Sequence, residues 1–197
     1  GISPEKISVT VNGINMNKFS SKLDTSGIEK ELSLDRNKKK IVYTSRIDTD
    51  RSLVAHHLCS IAPEVIKNFP DWEIIITGAG NDFEALKKDV EEANKAAGKK
   101  IITLTGARDD IYLFASLADV FIAVSRSALE FMSAESTGII AGNQGYLGIF
   151  TESVLERAAE TNFCCRGDGD PSPEKLKSDL YKLLNMSDIK RREMGEY

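Results

Sequence analysis

Val120-Phe121-Ile122-Ala123-Val124-Ser125-Arg126-Ser127-Ala128-Leu129-Glu130 runs from five consecutive apolar residues into a hydroxyl-flanked turn and then a helical pattern. A short apolar run bounded by a turn signal reads as a strand covered on both faces. The helix after it opens between Ser125 and Ser127 and carries a carboxylate, Glu130. A strand feeding directly into a helix is half of a βαβ unit, and the free N–H groups of a helix start offer partial positive charge to an anion.

The same alternation recurs on both sides. Ile41 to Ser45 is a short apolar run ending at Arg46, with Arg51 close behind. Leu53 to Asn68 has helical spacing in Leu53, His57, Ile61 and Val65 and stops before Pro70. Trp72 to Thr77 reads as a buried strand feeding Gly78-Ala79-Gly80, and Asn81-x-x-Glu84 has the spacing of a capping box for a helix reaching about Ala97. Ile101 to Thr105 predicts a third strand and Asp109 to Ala118 a helix with Asp109 or Asp110 near its cap. Ser127 to Ser136 is helical, and Ile139-Ile140-Ala141 a fifth strand. Strands separated by single helices imply parallel crossovers, so the expected class is α/β with a doubly wound, Rossmann-like parallel sheet. Its ligand crevice should lie at the strands' C-terminal edge, where Arg46, Gly78, Gly106 and Ser125 fall.

The flanks read differently. Lys6 to Val11 alternates like a strand, Asn12-Gly13 turns, and Ser20 to Lys40 is polar and charged, so residues 1–40 are expected to be a linker-derived strand, turn and surface excursion ahead of a domain over 41–197. Gly145 and Gly148 suggest loops lining a site, and Cys164-Cys165 is expected in a short strand after Asn162-Phe163. Ser172-Pro173-Glu174 has the form of a helix start.

At 197 residues and 41% hydrophobic content the chain can bury a real core, and a formal net charge of −4 argues against a nucleic-acid partner. No apolar run approaches the ~18 residues of a membrane span, and no basic-then-apolar leader is seen, so the expected setting is cytoplasmic. Three cysteines, two of them adjacent, fit neither a disulfide framework nor a C-x-x-C metal spacing, and the two histidines are adjacent, so reduced thiols and no metal site are expected. His56-His57 should be one core and one surface residue, neither a ligand.

Arg46 and Arg51 place two guanidiniums just past a strand, and the planar fork of arginine suits phosphate. Together with the helix start at Ser125 they suit a nucleoside diphosphate. The alternatives are that both are surface arginines and that Glu130, three residues after Ser127, merely completes a capping box. Gly78-Ala79-Gly80 is not a dinucleotide fingerprint, because Phe83 stands where the third glycine would be.

Val11-Asn12-Gly13-Ile14-Asn15 through Phe19, Tyr43-Thr44-Ser45-Arg46, Ile76-Thr77-Gly78-Ala79-Gly80, Thr105-Gly106, Ala118-Asp119-Val120-Phe121-Ile122 and Ala128-Leu129-Glu130-Phe131-Met132 follow one another at set spacing. In that order the chain, from about Ile7 to about Gly148, resembles the C-terminal, nucleotide-sugar-binding domain of a family 4 (group 1) glycosyltransferase. The resemblance implies one half of a GT-B fold, in which two Rossmann-like domains face each other, with an acceptor-binding N-terminal half missing. Departures stand at Ser45, usually Gly, and Arg51, usually Lys. Of the family's paired glutamates Glu130 matches the second, while the first falls at Ile122, so Ser125 and Arg126 would serve near the sugar. The usual Gly and Pro after the helix are Glu135 and Thr137.

The resemblance implies a retaining transfer of a sugar from a nucleotide-diphosphate sugar, UDP-linked, to a glycan or lipid-linked acceptor in polysaccharide biosynthesis. Arg46, Arg51 and Glu130 would be the catalytic set. Gly106, Ala107 and Arg108 would lie against the base, the amides around Ser127 and Ala128 would join Arg46 and Arg51 on the diphosphate, Ser125 and Arg126 would stand near the sugar, and the stretch Asn143 to Tyr146, with Asn143, Gly145 and Tyr146, would face it. The nucleotide sugar is a substrate, and no cofactor or metal is implied. The fragment alone should be inactive, and the whole protein cytoplasmic or peripheral to the membrane's inner face through the missing half. A sugar-nucleotide epimerase of the same architecture, and a non-catalytic partner domain with drifted motifs, stay open as alternatives.

Overall fold

The computed structural model describes residues 3–6, 8 and 13–196. Among them six strands, β1 (Lys39–Thr44), β2 (Trp72–Thr77), β3 (Ile102–Leu104), β4 (Val120–Ala123), β5 (Thr137–Gly142) and β6 (Gly145–Ile149), form one sheet in the order β3-β2-β1-β4-β5-β6. β1 to β5 are parallel, and β6 returns antiparallel to β5. Eight α-helices, α1 (Ser26–Glu31), α2 (Leu53–Asn68), α3 (Phe83–Ala96), α4 (Ile111–Leu117), α5 (Arg126–Ser133), α6 (Leu155–Glu160), α7 (Pro173–Leu184) and α8 (Asp188–Gly195), accompany them.

Side chains alternate across a strand, and here both faces are apolar. Ile41, Tyr43, Ile74, Ile76, Val120, Ile122, Ile139 and Ala141 pack on one face with residues of α2, α3 and α7. Val42, Ile75, Phe121, Ala123 and Ile140 pack on the other with residues of α1, α4, α5 and α6. Three layers result, the doubly wound sheet that the run of strands and helices predicts. α2 has the predicted bounds and continues through Pro63, held by eight buried residues. Ser172 caps α7, its Oγ accepting from Lys175 N at 3.3 Å, with Pro173 in the first turn.

Four local expectations give way to tertiary contacts. The capping box at Asn81 does not form: α3 starts at Phe83, while Asn81 Oδ1 accepts from Thr49 N (3.0 Å) and Asn81 N donates to Asp48 Oδ1 (3.1 Å). The glycines after Gly142 build β6 rather than a loop, because a Cβ at Gly145 would lie 1.8 Å from Cys165 O. Cys164 and Cys165 stand in a turn, not a strand, with Asn162, Phe163 and Cys165 at φ of 52, 58 and 58°. Ser20 to Lys40 is more than a surface excursion: it contains α1, places Ile28 and Leu34 in the second core, and buries Lys40, whose Nζ reaches Asp35 O and Glu73. The strand expected over Lys6 to Val11 and the turn at Asn12-Gly13 lie almost wholly outside the described residues, and Lys6 itself closes a 3₁₀ turn, Pro4–Lys6.

Behind the site, Gly78 takes φ 138°, and a Cβ there would meet Ser45 O at 1.9 Å. Gly78→Ala should therefore cost at least about 1–3 kcal/mol of stability in urea unfolding, since neither the dihedral nor the crossing tolerates a methyl group. Gly27→Ala is the contrast: no atom lies within 4 Å of that Cβ, and inside α1 the change should stabilise by roughly 0.5–1 kcal/mol.

Candidate functional site

β1 and β4 are neighbours, but the chain leaves β1 for α2 on one face and β4 for α5 on the other. Their exits diverge and open a crevice at the strands' C-terminal edge, where doubly wound sheets bind ligands. A cavity of about 180 Å³ occupies it. Its wall is Ser45 past β1, Val124 and Ser125 past β4, Gly142, Asn143 and Gln144 at the β5–β6 turn, and Asp50, Arg51, Cys164 and Arg166 from loops.

The loop between β1 and α2 is fixed by its backbone. Ile47 N donates to Ala79 O (3.0 Å), Ile47 O accepts from Asp82 N (2.9 Å), and Arg51 N donates to Asp48 O (2.7 Å). This leaves the Arg51 side chain half exposed at the cavity, with Asp50 3.7 Å away. Ser52, at the N-cap of α2, does not cap it but donates to Asp82 Oδ2 at 2.5 Å. Asn143 Oδ1 accepts from Leu53 N instead (3.1 Å), tying the β5–β6 turn to the start of α2.

Across the crevice Ser125 holds φ 56°, ψ −132°, and no side chain caps α5. Its N–H donates to Phe163 O at 2.7 Å, so the left-handed residues Asn162 and Phe163 place the support for this turn. The first-turn amides of Arg126, Ser127 and Ala128 lead the helix dipole toward the crevice. Glu130 is 12% exposed and accepts from Arg126 Nε at 2.9 Å. The capping-box reading of Glu130 fails, because the helix starts at Arg126 and leaves Ser127 inside it.

The expected site residues fall into two groups. Arg51, Ser125 and Asn143 converge on the cavity, with Ser127 and Ala128 in the adjoining helix turn. Arg46, the most exposed of the candidates on this loop, stands off its wall, 3.8 Å from Asp48. Gly106 follows β3, its carbonyl accepting from Gly78 N, and Ala107 continues the loop. Arg108 is not free to meet a base: Asp110 (2.8 and 2.7 Å) and Glu31 (2.5 and 3.2 Å) occupy its guanidinium, which lies over the Phe114 ring. Those hydrogen bonds push its pKa up. Tyr146 cannot face a sugar. It is 8% exposed, donates its hydroxyl to Asp179 Oδ2 at 2.9 Å, and has its phenol pKa pushed up by burial and by that carboxylate. Gly145 backs onto Cys165.

Arg166 and Cys164 were not foreseen, and Gln144 only within the stretch Asn143 to Tyr146. Arg166 donates from Nε to Gln144 Oε1 (2.9 Å), and its carbonyl is held by Arg157. No periodicity marks which arginine of a coil returns to a sheet edge; the pairing with Gln144 exists only after β6 folds back. His56 also departs from the expectation of a plain core or surface residue: Nε2 lies 2.8 Å from Asp82 and Nδ1 2.6 Å from Asp89. Burial opposes its charge, but the hydrogen bonds to Asp89 and Asp82 leave its pKa above the ordinary value.

The sequence profile of a family described as glycosyl transferases group 1 matches residues 38–143, more than half of the chain. A UDP-Gal:α-D-GlcNAc-diphosphoundecaprenol α-1,3-galactosyltransferase from Escherichia coli is 29% identical over 144 residues, 70% of this chain and 36% of that protein. The chain thus spans about a third of the length of this curated relative. The C-terminal domain of LpcC, a glycosyl transferase group 1 family protein from Francisella tularensis, matches in fold with a TM-score of 0.64 at 16% identity, covering 93% of this chain and 94% of that domain. HepE from Anabaena, in complex with UDP and glucose, matches with a TM-score of 0.63 at 16% identity, over 100% of this chain and 52% of its own.

The thiols give a direct check of this geometry. Cys59 and Cys165 are buried, and burial pushes their pKa up to about 12 and about 11, whereas Cys164 is part-exposed at the cavity. A disulfide reagent at pH 8 should titrate one thiol quickly in the native protein and all three after unfolding, with Cys164→Ser abolishing the fast phase.

Proposed function

The chain belongs to the group 1 glycosyl transferases, and from that premise we propose that it is the donor-binding domain of a retaining enzyme that transfers a sugar from a UDP-sugar. The observation that carries this reading is the meeting of Arg51, Arg166 and the uncapped start of α5 around one crevice. A diphosphate there lies between two guanidiniums and the amides of Ser127 and Ala128. Glu130 receives the ribose hydroxyls, and the base lies against Gly106 and Ala107. The E. coli relative, named for UDP-Gal, and HepE, bound to UDP, support a uridine nucleotide.

The chemistry follows from charge. As the bond from the anomeric carbon to the β-phosphate oxygen breaks, its electron pair stays on the phosphate. Fixed cations and helix amides aimed at that oxygen stabilise the transition state more than the ground state. Arg126 stands at the sugar end of the site, where the family's first acidic residue is replaced by Ile122. When the ribose takes Glu130, Arg126 is released toward the sugar. This half needs no nucleophile of its own. We place the acceptor in a second, N-terminal half, consistent with the share of the relatives that this chain spans, and we propose a glycan or lipid-linked acceptor at the inner face of the membrane.

Calorimetry separates the roles. Hydrogen bonds to charged groups contribute roughly 1.5–3 kcal/mol each, so Arg51→Ala and Arg166→Ala should each weaken UDP by about one to two decades and leave uridine nearly unchanged. Arg46→Ala, off the cavity wall, should change UDP affinity by less than about threefold. Equal affinity of the parent chain for uridine and UDP would sink the diphosphate assignment. Glu130→Gln should weaken uridine and UDP alike with little change in melting temperature, because its only partner among the described residues is an exposed arginine one turn away. Supplied with a UDP-sugar and an acceptor, the isolated chain should show no transfer.

A further inference from the structure

We infer that His56 is a positioning residue for the diphosphate crevice, holding through Asp82 and Ser52 the backbone that carries Arg51; this rests on the donor-binding reading. His56 projects from α2 between two carboxylates, with Nε2 on Asp82 Oδ2 and Nδ1 on Asp89 Oδ2. A neutral imidazole has one donor and one acceptor, so only the imidazolium donates to both. Asp82 Oδ2 is also the acceptor for Ser52 Oγ. That contact ties the N-cap residue of α2 to the start of α3, since Ser52 gives its hydroxyl to Asp82 instead of to its own helix, and Arg51 is the next residue back.

Loss of the imidazolium proton turns a lone pair toward one carboxylate and breaks one of the two contacts. With one N–H left for two carboxylates, Asp82 is held less firmly, and the loop loses one of the anchors that aim Arg51 into the cavity. The charged and titratable neighbours are few. Asp82 and Asp89 come from the α3 side, where Glu92 lies beyond Asp89 along the same groove. On α2 itself Cys59 lies near Asp89, and His57 lies within range of both Glu174 of α7 and His56, with burial pushing its own pKa down. Burial opposes the charge on His56, but its two carboxylate partners outweigh it. A pKa raised in the folded state means that the ordering is complete below the ordinary histidine value and is lost as pH rises through the folded value.

A simple structural role would alter stability alone, so the distinguishing measurement is affinity in folded protein against pH. UDP-galactose is a suitable probe because its diester phosphates keep constant charge, and uridine reports the rest of the site. Between pH 6 and 8.5 the wild-type affinity for UDP-galactose should fall about three- to tenfold while uridine stays level, the size expected for one weakened charged contact transmitted through a loop. His56→Gln should bind UDP-galactose at the weaker level with no slope, and Asp89→Asn should shift the wild-type slope to lower pH, with melting curves at each pH confirming that both variants are folded. A His56→Gln variant with wild-type affinity and slope overturns the inference, as does a parallel slope for uridine. Failure of the wild type to bind either ligand at any pH would overturn the nucleotide reading and this inference with it, an outcome distinct from the other two.

Discussion

The placement of β1 beside β4, with their helices on opposite faces of the sheet, is the constraint on which the rest of this structure depends. The strands run in register from Ile41 opposite Val120 to Thr44 opposite Ala123. Both sheet faces are filled mainly by apolar side chains, and the buried threonines at the β1 and β2 ends, Thr44 and Thr77, bond to each other. The functional groups must come from strand ends and loops, and those loops are held by backbone and side-chain hydrogen bonds to the frame and by single buried anchors, Ile47 on the β1 side and Phe163 on the β4 side. Gly78 shows how tight the frame is at this edge: the β1 exit and the β2 exit cross so closely that no side chain fits between them.

The arginines divide by partner. Arg108 and Arg191 hold carboxylates and backbone carbonyls away from the crevice, joining Glu31 and Asp110 in one case and Leu183, Met186 and Asp188 in the other. Arg157 is a strut for another arginine, since it binds Asp168 and Glu160 and fixes the carbonyl of Arg166. Arg51 and Arg166 keep their guanidiniums at the cavity with only weak competition from acids. A net acidic chain can thus offer a locally cationic site, because the excess acid is distributed over its surface and in structural ion pairs of small individual strength.

Within the crevice the two walls are held by different means. On the β1 side a chain of side-chain contacts, from Asn143 to Leu53 and from Ser52 through Asp82 to His56, fixes the start of α2. On the β4 side a strained residue, Ser125, is held by the carbonyl of Phe163 in a loop of left-handed residues. Strain of this kind persists only where surrounding contacts overdetermine it, and it tends to gather at functional sites. It also leaves the α5 amides without a cap of their own.

The sequence by itself determined the layers and the sheet edge. Period and punctuation are local: apolar runs such as Trp72 to Thr77, the helical spacing from Leu53 to Asn68, and Ser172-Pro173 at a helix start need no distant partner to be read. They sufficed to place Arg51, Ser125 and Glu130 at the C-terminal edge of a doubly wound sheet. Tertiary structure alone decided where polar side chains point, because each has several possible partners and distance in space chooses among them. Asn81 looked like a cap but bonds the β1–α2 loop, Tyr146 looked like a sugar contact but bonds Asp179, and Arg108 looked free but bonds Glu31 across 77 residues. Arg166 and His56 went unseen for the same reason: their partners, Gln144 and the pair Asp82 and Asp89, come within reach only once the hairpin and the helices have packed.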